Sequence, residues 1–514
     1  VIRQLEVDGV PTLLAPAAGP VRAGLVFRVG VADETLARRG VTHLLEHLAL
    51  APLGLLDHDA NGMTEALFSS FVVRGGPEEV VAFLNTVCGN LCEPPTDRID
   101  VEREILGVEE SGRPRGSLGR LPLWRHGARD HGLVSYPEYG LPGITGDDVR
   151  EWAASRFTRG NAVLFLTGDE VPRGLRLPLP EGERRPVPTP SSALPHTPAY
   201  FSDGAGLVAL DAVVARRAAA VVYAGVLERE LFRALRQEEG LSYQVATGYQ
   251  PLGDATASLR AFADSSPDRQ DALLGGFVDT LATLRVGRIA RADRDVAVAR
   301  RLEALAHPEA DADRLPQCAR DLLTGAPVRD LDELRAELAA VTVDDLREVA
   351  REAAASALLL VPAGLRADWA GFSAAPTFSE DSVEGKAHQG RDDHSQLIVG
   401  DDGVTVADGE AVATVRYADC AALLVWPDGA RRLIGHDGIV VHVEPNLFEP
   451  VPDLAVVDQA VAADRHVTLP ARPDDAIPPP PPEVGRLSRM VRSVRETGNT
   501  VTAWLSATLL DPGR

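Results

Sequence analysis

Val41-Thr42-His43-Leu44-Leu45-Glu46-His47-Leu48 is the stretch whose reading decides how this 514-residue chain is organised. Its apolar positions predict a helix. His43 and His47 are four apart, so their imidazoles share one helix face, and Glu46 projects beside them. Two neutral imidazoles so placed can hold a zinc ion, and a neighbouring carboxylate can take a proton from water on the metal. Thr42 is placed to help start the helix. Zinc needs a third protein ligand, with a fourth position left to water. The best candidate lies in a charged amphipathic helix predicted over 97–111. There Glu102 and Glu109 are seven apart, two turns along one face. Glu109 can reach the metal, and Glu102 can support it from behind.

Working outward, residues 5–15 read as a hairpin around Asp8-Gly9, 21–30 as an alternating strand and 63–74 as a strand-like run. Pro77 opens a helix reaching to about 91. Residues 146–157 read as a helix with Asp147 and Asp148 in its first turn, and 161–167 as a buried strand ending at Gly168. The sequence then echoes itself. Thr145-Gly146-Asp147-Asp148-Val149-Arg150-Glu151 returns as Thr342-Val343-Asp344-Asp345-Leu346-Arg347-Glu348, each followed by an apolar strand and a glycine, Gly168 or Gly364. A repeat at that spacing implies two similarly folded lobes rather than a solenoid.

The expected fold class is α+β: two homologous α/β sandwich lobes, then a small β-rich C-terminal module. The expected boundaries are a first lobe at 1–172, a Pro/Arg-rich linker at 173–199 and a second lobe at 200–366. The second lobe lacks His-x-x-Glu-His; its equivalent helix is predicted through 231–239. A linker at 367–394 leads to the β-rich module at 395–450, read from turn signals at Asp401-Asp402-Gly403, Asp408-Gly409, Asp428-Gly429 and Asp437-Gly438. A Pro-rich linker at 451–483 and a candidate amphipathic helix at 484–514 close the chain.

Hydrophobic residues make up 45% of the chain, ample for packed cores. The net charge of −23 argues against nucleic acid as a partner and fits basic partners or peptides better. The four cysteines, Cys88, Cys92, Cys318 and Cys420, include no Cys-x-x-Cys pair, which leaves a zinc ribbon or thioredoxin-type site unsupported. Scattered thiols, no signal-like N-terminus and no long uncharged apolar run make cytoplasmic the expected location.

His43-Leu44-Leu45-Glu46-His47 inverts the His-Glu-x-x-His order of other zinc peptidases. Followed by Glu102-Arg103-Glu104-Ile105-Leu106-Gly107-Val108-Glu109, it resembles the inverzincin peptidases of the pitrilysin/insulinase family, which includes the mitochondrial processing peptidases. The resemblance covers about residues 1–365. It implies that His43, His47 and Glu109 are zinc ligands, Glu46 the general base and Glu102 a supporting glutamate. Asn61-Gly62-Met63-Thr64 resembles the family's Asn-Ala-x-Thr, at the start of the edge strand that pairs with the substrate backbone. Leu235-Arg236-Gln237-Glu238-Glu239-Gly240-Leu241-Ser242-Tyr243 resembles the family's Leu-Arg-x-x-x-Gly-Leu-x-Tyr. By that likeness Arg236 and Tyr243 reach the substrate near the scissile bond, where both are sensible donors to carbonyl or oxyanion groups. One departure stands out. The interval from His47 to Glu109 is shorter than in the family, and the missing piece falls before Asn61, where relatives carry an extra helix. That alters the wall of the cleft and leaves the metal set intact.

The function implied is zinc-dependent endopeptidase action on peptides or unfolded segments. The family's chamber takes four lobes and this chain has two, so the resemblance also implies a homodimer, or a heterodimer with a related subunit. The competing class is a non-catalytic peptide-binding or scaffold subunit. Such subunits usually lack a ligand or the base, and here His43, Glu46, His47 and Glu109 are all present. Other candidates read more plainly. His58, between Asp57 and Asp59, suits a solvated loop better than a second metal site. His126 and His131 read as structural or surface residues, and Asp393 and His394 as part of a polar linker. Residues 395–446 resemble a pleckstrin-homology-like barrel. The stripe of Arg486, Arg489, Arg492 and Arg495 reads as a solvated or partner-packing face rather than a membrane contact.

Overall fold

Asp8 and Gly9, both at positive φ, make the tight turn that folds strand β1 (Arg3–Val7) back on β2 (Val10–Ala15). This computed structural model describes residues 1–55, 59–112, 116–204, 206–391, 394–409 and 411–479. After β3 (Val21–Phe27) come helix α1 (Val41–Leu50), the hairpin β4 (Asp59–Thr64) and β5 (Ser69–Gly75), then α2 (Pro77–Cys92) and α3 (Ile99–Gly112). A short α4 (Leu121–His126), α5 (Gly146–Arg156) and β6 (Ala162–Thr167) complete the first lobe. Its sheet runs β1-β2-β6-β3-β5-β4, with β2 and β6 parallel and the other pairs antiparallel. The run expected at 63–74 is in fact two strands. Pairing with β5 draws Asp59-Ala60-Asn61 into β4, although such residues favour turns over strands.

The second lobe repeats the plan. It contains β7 (Ala199–Asp203), β8 (Leu207–Ala215), α6 (Ala218–Leu231), β9 (Val245–Pro251), β10 (Thr256–Asp264), α7 (Gln270–Arg285) and α8 (Arg291–Ala304). The short α9 (Ala310–Asp313), α10 (Leu315–Leu323) and α11 (Leu331–Ala340) precede α12 (Val343–Ala355), β11 (Leu358–Pro362) and β12 (Ser373–Ala374). Its sheet order, β12-β7-β11-β8-β10-β9, corresponds strand for strand to β2-β6-β3-β5-β4 from β7 onward, the parallel pair included. The echoed motifs are matching helix starts. Thr145 accepts from the Asp148 N–H and Thr342 from the Asp345 N–H, each the first half of a reciprocal capping box. The helix predicted through 231–239 begins much earlier, at Ala218, and its last part, Phe232–Glu238, is π-helical.

Each sheet buries one face under its own helices and the other under a helix of the opposite lobe. Leu13, Val26, Val163 and Phe165 on the outer face of the first sheet pack against Leu315, Cys318, Ala319 and Leu323 around α10. In return, Leu121 of α4 packs on Phe201, Ala209, Leu358 and Leu360 of the second sheet, and Trp124 stacks on Phe201 with centroids 5.2 Å apart. At this seam the buried Arg125 bonds to the buried Asp211, which also accepts from Arg260 Nε at 2.8 Å. Burial raises the Asp211 pKa, but the two guanidinium groups outweigh it and leave the carboxyl below its usual value. Asp211→Ala strands Arg125 as a buried cation and is expected to cost about 3–5 kcal/mol. Denaturant unfolding checks this; an unchanged midpoint would mean that the pair contributes nothing.

The Pro/Arg-rich 173–199 segment is less free than its composition suggests. Leu175, Leu177 and Leu179 alternate into the first lobe's core. The β module also extends beyond 395–450. Strands β13 (Gly385–Gly390), β14 (Gln396–Gly400), β15 (Gly403–Asp408) and β16 (Ala411–Arg416) form one meander, joined at its edge by β20 (Phe448–Glu449). Strands β17 (Cys420–Val425), β18 (Arg431–Gly435) and β19 (Val440–Val443) form a second, joined by β21 (His466–Thr468) beside β17. A short helix, α13 (Ala455–Ala460), lies in the stretch expected as linker and packs into the module's core through Val457. The module's second sheet docks on the first lobe. Ala422, Leu424, Ile434 and Val440 meet Val31, Leu36, Leu133 and Tyr136. A β-carbon at Gly127 would fall 2.0 Å from the His436 carbonyl oxygen, which accepts from the Ala128 N–H at 3.1 Å. His58, Asp393 and the 484–514 helix lie outside the described residues. Among the described residues, no helix is long and apolar enough to cross a membrane, and all four cysteines are free.

Candidate active site

Two stripes divide helix α1. Val41, Leu44, Leu45 and Leu48 enter the first lobe's core, at the i, i+3, i+4, i+7 spacing of one helix face. His43, Glu46, His47 and Leu50 form the other stripe. Thr42 does not cap the helix. Gly40 holds the cap position, and its N–H and that of Thr42 both donate to the buried Glu34 carboxylate, at 3.0 and 2.9 Å. A carboxylate brought from an upstream loop thus does the work expected of a neighbouring hydroxyl.

The two imidazole rings stand nearly perpendicular, at 89°, with centroids 4.9 Å apart. Helix α3 brings Glu109 to them. Its Oε1 lies 3.6 Å from His47 Nε2, and its Oε2 lies 3.9 Å from His43 Nε2. Donor atoms of His43, His47 and Glu109 all fall within 4.8 Å of one another, a set that can hold a metal ion. Tetrahedral ligands at about 2.0–2.2 Å from a metal stand about 3.4 Å apart. Each of the two gaps, made to a different oxygen of Glu109, is within about half an ångström of that spacing. The other ring nitrogens are held from behind. His43 Nδ1 donates to Glu138 Oε1 at 2.9 Å, which fixes the tautomer and leaves Nε2 as the lone-pair nitrogen. His47 Nδ1 lies 3.5 Å from Glu102 Oε2, and Arg98 donates to Glu102 Oε1 at 2.8 and 3.2 Å.

Glu46 is buried and accepts from the Thr64 hydroxyl at 2.6 Å. Burial raises its pKa, opposed by that hydrogen bond and by the two histidines. Thr64 belongs to β4, the free edge of the first sheet, which also carries Asn61, Gly62 and Met63. The strand can lie against α1 because Gly62 has no side chain. A β-carbon there would fall 2.6 Å from Glu46 Oε1 and 2.8 Å from Leu50 Cδ1.

Arg236 and Tyr243 stand in the second lobe, at and just beyond the π-helical turn. The Arg236 guanidinium lies 5.3 Å from the Tyr243 ring centroid and 5.1 Å from that of Phe232. The Asp264 carboxylate accepts from the N–H groups of Tyr243 and Gln244, fixing the loop and leaving the tyrosine 81% exposed. His126 and His131 are buried beside a cavity of about 220 Å³ at the lobe seam. They donate to the carbonyls of Ser191 and Pro188, and burial holds His126 neutral by pushing its pKa down to about 4. They pin the 186–192 segment and lie apart from the metal cluster.

Sequence reasoning missed Glu34, Arg39 and Glu138. None sits in a periodic pattern, and their link to His43 exists only once the loops have folded.

No protein-family model and no curated protein matches the sequence. Solved structures do match the fold. A protease from Helicobacter pylori is 17% identical, with 70% of this chain and 99% of that chain covered and a TM-score of 0.59. A peptidase M16 inactive domain from Pseudomonas fluorescens is 14% identical, covering 71% of this chain and 98% of that one, also with a TM-score of 0.59. A mutant of the ferredoxin protease FusC, in complex with Arabidopsis ferredoxin, is 14% identical over 84% of this chain and 56% of that one, with a TM-score of 0.53. The chain therefore has the α+β, two-lobe fold of M16-peptidase-like proteins.

Proposed function

We propose that this protein is a zinc-dependent endopeptidase that cleaves peptides or unfolded polypeptide segments. The observation that carries the reading is the meeting of His43, His47 and Glu109 with a buried carboxylate, Glu46, under the free edge of a sheet. His43, His47 and Glu109 hold the metal, two nitrogens and one oxygen being a donor set that suits zinc. The bound zinc supplies Lewis-acid polarisation of the scissile carbonyl and acidifies water. Glu46 takes the proton of the attacking water and returns it to the leaving amine. Thr64 fixes the carboxylate for this transfer. An extended peptide adds to β4 through main-chain hydrogen bonds, which makes binding tolerant of sequence. Arg236 and Tyr243 donate to the carbonyl oxygens of the bound chain.

The same fold occurs in a protease and in an inactive domain, so fold alone does not choose between catalyst and scaffold. The ligand set and base favour catalysis. Purified protein is expected to bind about one zinc per chain and to cleave a peptide library until a chelator is added. Metal analysis with cleavage-site profiling tests both. Protein that takes up no zinc and cuts nothing in the library would overturn the reading.

Two lobes are half of an enclosing chamber, so Arg236 and Tyr243 of one chain serve the zinc site of another. Mixed Glu46→Gln and Tyr243→Phe chains are expected to regain activity on subunit exchange. Failure to recover, with exchange verified by mass, would argue against sharing.

A further inference from the structure

We propose that the β module is the rear support of the metal site, acting through Glu138 to hold His43 in place. The inference rests on the zinc reading above. Its chain of contacts starts at the docking face, where Ile434 and Val440 of the module pack with Leu133 and Tyr136 of the first lobe. Leu133 is fully buried there, and its carbonyl accepts from Arg39 Nε at 3.2 Å. Arg39 Nη1 lies 3.3 Å from both Glu34 Oε2 and Glu138 Oε1. Glu34 caps helix α1, and Glu138 Oε1 accepts from His43 Nδ1–H at 2.9 Å. Three charged residues, each under 7% exposed, thus lie between the module and a metal-facing imidazole. The hydrogen bond from His43 to the Glu138 carboxylate fixes the ring's orientation and raises its basicity as a ligand. Glu138 is a positioning residue: it touches neither substrate nor metal and acts by aiming His43.

Strand β18 supplies an internal control. Leu433 and Ile434 are neighbours and both fully buried, but they point to opposite faces. Leu433 lies in the module's own core and Ile434 in the docking face. Truncating either opens a cavity of similar size in the same module.

The experiment measures zinc affinity of the full chain by competition with a chromophoric chelator, and the visible absorption of the cobalt(II) form. Glu138→Gln is expected to weaken zinc binding by about 10–100-fold and to shift the cobalt bands. Ile434→Ala is expected to act in the same direction by about 3–10-fold, in line with a weaker, indirect version of the same loss. Leu433→Ala should leave both readouts as in the parent. Parent-like affinity and spectrum in Glu138→Gln would overturn the positioning role. Equal effects of Ile434→Ala and Leu433→Ala would overturn the support role, since a general loosening of the module would explain them. His43→Ala separates the two levels of failure. If zinc binding survives that change, the metal reading itself is wrong; if it is lost while Glu138→Gln binds normally, only this inference falls.

Discussion

Glu46→Gln is expected to retain its zinc and to lose peptide cleavage by about 10²–10⁴-fold, the usual contribution of a positioned general base. The substitution keeps the shape that fits beside Gly62 and an oxygen to accept from Thr64, so the helix and its histidines should stay in place. What it removes is the capacity to accept and return a proton. Metal content and steady-state cleavage, measured on the same preparation, separate the two effects. A variant that holds zinc and cleaves at the parent rate would sink the assignment of Glu46. Loss of zinc together with activity would instead mean that Glu46 is needed to build the site.

Residues 1–172 produced alone are expected to fail as a folded domain, although they contain a complete sheet and every metal ligand. The missing partners are Leu175, Leu177 and Leu179 of the first core and α10, which covers Leu13, Val26, Val163 and Phe165, with Leu67 and Phe68 at the margin. Uncovering such side chains costs about 1.5–3 kcal/mol each. Their sum rivals the roughly 5–15 kcal/mol that stabilises a whole domain. The fragment should aggregate or bind a hydrophobic dye and melt without cooperativity, whereas the full chain should melt cooperatively. A soluble 1–172 fragment with a sharp transition would show that the outer face needs no cover.

The two-lobe plan was legible because its signals are local. The capping boxes at Thr145 and Thr342 need only residues three apart, and the strands after them are continuous apolar runs. The α1 stripe of His43, Glu46 and His47 is likewise written in the period of a helix. What could not be read depends on distant partners. Glu34 caps a helix from outside it, and Glu138 reaches His43 across 95 positions. The strand character of Asp59-Ala60 is imposed by β5. Prolines and arginines give 173–199 the composition of a linker, which does not reveal that Leu175, Leu177 and Leu179 alternate toward a buried face. The module's outline was visible in its Asp-Gly turns, but its docking surface was not, because Ile434 and Leu433 look alike in sequence.

The crossed helices α4 and α10 also bear on how a polypeptide gains entry. Each lobe is braced by a segment of the other, and the strand of chain between them is itself pinned into the first core. A unit tied in this way has no hinge about which its own halves can swing apart. In the paired arrangement proposed above, admitting a peptide is then a displacement of the whole two-lobe body against its partner. On that proposal the rate of opening is set by the contacts between units rather than by bending within one.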